Sequence, residues 1–133
     1  MVTVLSISRH SPENCPFHGE KLKELGNEVI EKYGTLDKAV EERNRIVEKH
    51  GIKEIGRWIV PSEHLIFEVT EAPSLEAYEE LLVELQSPIL RLSTTQIKLA
   101  FNSKEAMRMM VPSADRLSES EKHLLQKIIE YFL

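Results

Sequence analysis

Apolar positions along this chain switch between a spacing of two and a spacing near 3.6, and each switch predicts a new element. Val2 to Ser8 (VTVLSIS) alternates β-branched or apolar residues with small ones and predicts a strand. Arg9 to Gly19 is rich in turn formers, with Pro12, Pro16 and Gly19, and predicts an irregular loop. Leu22, Leu25, Val29, Ile30 and Tyr33 then recur at helical spacing up to Gly34. Thr35 is placed to cap a continuation through Leu36, Ala39, Val40, Ile46 and Val47, which Gly51 ends. This region is read as a helical pair or as one helix bent at Gly34. Ile52–Val60 and His64–Thr70 predict two strands of a hairpin around Pro61-Ser62.

Pro73-Ser74 opens a helix whose apolar face is Leu75, Tyr78, Leu81, Leu82 and Leu85. Gln86-Ser87-Pro88 ends it, and Thr94–Phe101 supplies a fourth strand. A short helix is expected from Lys104 to Met110, stopped by Pro112. Ser118 and Glu121 form a capping box before a last helix bearing Leu124, Leu125, Ile128, Ile129 and Phe132.

The order strand, helices, strand, strand, helix, strand predicts an α+β fold: a ferredoxin-like βαββαβ antiparallel sheet with strand order 4-1-3-2. The extra helical segment after strand one and a C-terminal helical extension depart from the short form. We assign residues 1–102 to the ferredoxin-like domain. Residues 103–133 form the extension, expected to pack on the same domain or on a dimer partner.

Two registers of side chains follow. Leu5, Ile7, Ile55, Ile59, Leu65, Phe67, Val69, Ile97, Leu99 and Phe101 are expected beneath the helices. Val2, Val4, Ser6, Ser8, Trp58, Val60, His64, Ile66, Glu68, Gln96, Lys98 and Ala100 form the other face. That second face is too apolar for water and too polar for a plain core. A second copy of the sheet would cover it and leave a mixed cavity, with Ser8, Arg9, Trp58, Ile66, Gln96 and Lys98 as ligand-binding candidates. The alternative cover is the C-terminal helix.

Composition narrows the function classes. The chain has 133 residues, 17 Lys+Arg against 22 Asp+Glu, and a net charge of -5, which argues against non-specific nucleic-acid binding. A single cysteine excludes an intrachain disulfide. No apolar run approaches the ~18 residues of a membrane span. No signal-peptide pattern opens the chain, and a cytoplasmic location is expected. Glu and Lys abound while Gln is scarce, a thermophile-like composition.

The stretch Trp58 to Tyr78, WIVPSEHLIFEVTEAPSLEAY, resembles small ferredoxin-like proteins of the dimeric α+β barrel superfamily. In those, a hairpin running into E-A-P-S-x-E-A and a helix is a familiar form. The resemblance implies a homodimer and extends in plan over roughly the first hundred residues. The superfamily includes antibiotic-biosynthesis monooxygenases, muconolactone isomerases and chlorite dismutase relatives, so it speaks to fold and dimerisation more than to chemistry.

Candidate chemistry gathers where strand one ends and strand three begins. His10, His18 and His64, three of the five histidines, and Cys15 are expected at one edge of the sheet. Cys15-x-x-His18 has a chelating spacing, and His10 or His64 can complete a divalent transition-metal site for zinc, iron or copper. His10, His64 and Glu68 are candidates for acid–base catalysis. Cys15 beside His10 or His18 is a candidate thiolate–imidazole pair. The leading expectation is a homodimeric small-molecule-binding protein without a cofactor. The alternatives are a monooxygenase- or isomerase-like enzyme with a His/Cys-lined pocket, and an assembly module without catalysis.

Overall fold

The computed structural model describes residues 1–16, 19–87, 91–110 and 116–132. The chain divides into two compact units, Met1–Leu99 and Ala100–Leu133. The first holds strand β1 (Val2–His10), helices α1 (Gly19–Tyr33) and α2 (Leu36–Lys49), strands β2 (Lys53–Val60) and β3 (Leu65–Ala72), and helix α3 (Leu75–Leu85). Strand β4 (Ser93–Ala100) ends it, with Ala100 falling in the second unit.

The doubled helical segment is a pair, not one bent helix. Gly34 adopts φ +87°, a conformation that side chains with a Cβ resist. Thr35 then caps α2, accepting a hydrogen bond from the Lys38 amide at 3.1 Å. Ser74 caps α3 in the same way through Ala77 at 3.1 Å. The prolines shape the turns around the sheet: Pro12–Asn14 and Pro61–Glu63 are single 3-10 turns.

The four strands form one antiparallel sheet in the order β2-β3-β1-β4, the expected order read from its other edge. β1 and β3 pair from Val2↔Ala72 to Arg9↔Leu65. β2 and β3 pair from Lys53↔Glu71 to Val60↔Leu65, with a bulge between Glu54 and Gly56. The core is Val4 and Ala72 from the sheet, Ile46 from α2, Ile52, and Tyr78 and Leu81 from α3.

That core reverses the expected facing of two strands. Val4 and Ala72 are fully buried among helical residues, so strand alternation turns Val2, Ser6, Ser8 and His10 inward with them. Through the pairing, Ile66, Glu68 and Thr70 also face the helices. Leu5, Ile7, Leu65, Phe67 and Val69 lie on the opposite face, joined by Trp58 and Val60 from β2. β2 and β4 keep the expected facing at Ile59, which pairs with the inward Ile66, and at Ile97, which packs on the core, but Ile59, Leu99 and Phe101 are each about half exposed rather than covered as expected. Ile55 falls in the bulge and is about half exposed.

Part of the reversal has a physical reason: Ser8 and Glu68 find partners on the inward side, whereas Thr70 Oγ1 and both His10 nitrogens have none. Burial raises the Tyr78 phenol pKa first of all, with the nearby Ser6 side chain opposing the rise and the Glu68 charge adding to it. Arg57 donates to Glu68 from Nε at 2.8 Å and again from Nη2. Ser8 and Thr95 share a hydroxyl hydrogen bond of 3.0 Å between β1 and β4. Satisfied polar groups can be buried at modest net cost, and large aliphatics need not take every inward position.

The second unit contains helices α4 (Ser103–Met110) and α5 (Glu119–Phe132). Asn102 and Glu105 cap α4 reciprocally: the Asn102 side chain accepts from the Glu105 amide at 2.9 Å, and the Glu105 carboxylate accepts from the Asn102 amide at 3.4 Å. Ser118 accepts from the Glu121 amide at 3.3 Å to start α5, as the S-x-x-E spacing predicts. No helix among the described residues is long and apolar enough to cross a membrane.

Candidate functional site at the end of β1

His10 closes β1 on the side facing the helices and is only 6% exposed. Its amide donates to the His64 carbonyl at 3.3 Å, which fixes the end of β1 against the β2–β3 turn. His64 follows the Pro61–Glu63 turn in the left-handed region, at φ 52° and ψ 39°. That conformation strains a non-glycine residue by about 1–2 kcal/mol, and here it bends the chain into β3. The two rings meet edge to face, with centroids 5.1 Å apart.

Cys15 is carried in by the loop after β1. The 3-10 turn at Pro12–Asn14 folds the loop back, and the Cys15 amide donates to the Pro12 carbonyl at 3.2 Å. The thiol is free and buried. One ligand atom each from His10, Cys15 and His64 lies within 4.8 Å of the other two. A bound zinc ion needs bonds of about 2.0–2.1 Å to nitrogen and about 2.3 Å to sulfur, so the ligands must draw in by roughly an ångström.

The site leaves the His10 ring free to coordinate. Neither His10 nitrogen has a hydrogen-bond partner, although both are buried. Leaving such a group unpaired costs about 1–3 kcal/mol, so it has use for a ligand. Burial, and next the charge of His64, hold the His10 pKa below the ordinary 6.5. The ring is therefore neutral at physiological pH and keeps a lone pair for coordination. Glu13, exposed on the same loop, is held ionised by its own backbone amide, the Ser11 hydroxyl and the charge of His64.

The other candidates separate. His18 lies outside the described residues. Glu68 pairs across the ladder with Ser6, not with the histidines, and its carboxylate is held by Arg57. Four residues of strand, about 13 Å, part it from His64. The six ligand-binding candidates do not share one face. Ser8 and Ile66 point toward the helices, whereas Arg9, Trp58, Gln96 and Lys98 point away. Trp58 is 57% exposed and lies across Gly56, where an added Cβ would come within 2.6 Å of the indole.

A separate hollow of about 660 Å³ opens between α1, α3 and β4 and was not anticipated. Its walls come from three distant segments, and no local motif marks it. No protein-family profile and no curated protein matches this chain.

Proposed function

We propose that this protein binds a thiophilic transition metal, zinc foremost, through His10, Cys15 and His64 on a ferredoxin-like scaffold. The observation that carries this reading is the pair of buried, unpartnered His10 nitrogens within reach of a buried thiol and a second imidazole. Two imidazoles and a thiolate suit zinc or copper better than hard cations. Three protein ligands leave a tetrahedral position for water or a small molecule, the arrangement of reactive rather than purely structural zinc sites. In this role His10 and His64 are ligands.

Cobalt titration of the metal-stripped protein tests the assignment. We expect one Co²⁺ per chain, with intense four-coordinate visible bands and a thiolate-to-metal charge-transfer band. Cys15→Ser should remove the charge-transfer band while leaving the far-ultraviolet dichroism intact. Zinc at a hundredfold excess over its Kd should stabilise the fold by about 2.7 kcal/mol. Absence of saturable binding, or the same spectrum in Cys15→Ser, overturns the assignment.

A second reading concerns assembly. Leu5, Ile7, Leu65, Phe67 and Val69 gather on the face turned away from α1–α3, beside the exposed Trp58. An apolar patch of this kind is a self-association surface. The likeness of the Trp58–Tyr78 stretch to dimeric α+β barrel proteins supports a homodimer through this face.

A further inference from the structure

The hollow between α1, α3 and β4 lies outside the metal-site reading, and none of the three proposed ligands lines it. Its volume, about 660 Å³, falls in the ~300–1,000 Å³ range of small-molecule sites. Val29, Leu82, Leu85 and Ile97 give it apolar walls. Its charged lining residues are Glu28, Lys32 and Arg91. Glu28 takes both its carboxylate oxygens to Arg91 Nη2 at 2.9 Å, so these two charges offset each other. Lys32 has no carboxylate partner among the described residues; its ammonium lies 5.1 Å from the Tyr33 ring centroid. The lining is thus apolar with one uncompensated positive charge, and Arg91 engages Glu28 through a single terminal nitrogen, leaving the rest of its fork to a second acceptor.

We infer that this hollow binds a small amphipathic carboxylate, its apolar body against Val29, Leu82, Leu85 and Ile97 and its head near Lys32 and Arg91. A neutral molecule of the same shape forgoes the ion pairing, and a cationic one meets repulsion from Lys32. A bare inorganic anion gains nothing from the apolar walls.

Calorimetric titration with decanoate, held below its micelle concentration, tests the inference against decanol, decylamine and inorganic phosphate. We expect saturable binding of one decanoate per chain, weaker decanol binding, still weaker decylamine binding, and none of phosphate. Lys32→Glu should weaken decanoate about fivefold, the scale of one exposed ion pair, and leave decanol unchanged. Val29→Trp, which fills the hollow, should abolish binding of both. No saturation, equal affinity for decanoate and decylamine, or indifference to both substitutions overturns the assignment. The same titration on Cys15→Ser separates this site from the metal centre, because decanoate binding persists there even if cobalt binding fails.

Discussion

His10 combines burial, missing hydrogen bonds and a titratable ring, and its consequences for acid stability follow from the sign of its pKa shift. The folded value is lowered by burial and by His64. As pH falls through the ordinary range near 6.5, the unfolded chain takes up a proton that the folded ring resists. Stability is therefore lost on acidification and level above that range. In the metal-free protein, His10→Leu should flatten the fall in unfolding free energy between about pH 7 and pH 5. The slope removed is at most about 1.4 kcal/mol per pH unit, that of a single proton. Urea unfolding at a series of pH values checks this, and an unchanged slope would show that His10 titrates alike in both states. Convergence of His10 with His64 was legible in the sequence, because strands one and three had to run antiparallel and share an end. The orphaned nitrogens were not, since they depend on packing around the ring.

Element boundaries followed from caps and breakers. Thr35, Ser74 and Ser118 each cap the helix their spacing predicts. Thr35→Ala should destabilise by about 1 kcal/mol, read as a lower urea midpoint with unchanged slope. Leu81→Ala, which empties a position 4% exposed in the core, should cost about 2–5 kcal/mol, while Val83→Ala on the 72% exposed position should stay within about 0.5 kcal/mol. The facing of β1 and β3 was misread because VTVLSIS offers two comparable rows, and apolar content alone favours turning Leu5 and Ile7 inward. What bears on the matter is contributed from afar: Tyr78 on α3 is buried near Ser6, and Arg57 on β2 donates to Glu68. A strand's own residues do not announce such partners. The hollow was illegible for the same reason, as its walls meet only in three dimensions.

For the whole molecule, strand order emerged from the right-handedness of crossovers and the alternation of elements. Corrected facing gives the outward side of the sheet a more apolar row than expected, which strengthens the proposal of a second copy against it. Sedimentation should report twice the 15.3 kDa chain mass. Trp58→Asp combined with Phe67→Glu should return the single-chain mass without loss of helical dichroism. A wild-type particle of one chain would remove the homodimer from consideration.

The bulge in β2 bears on how copies can meet. β2 is an edge strand, and between Glu54 and Gly56 its ladder slips by one residue. That slip brings Glu54 and Arg57 to the same side, 3.5 Å apart, and leaves Ile55 outside the regular pairing. A kinked rim studded with charge is a poor template for an incoming strand. Growth of the sheet sideways into a continuous ribbon is thereby discouraged along this margin, which leaves stacking, rather than lateral extension, as the route by which such sheets can associate without running on into fibres.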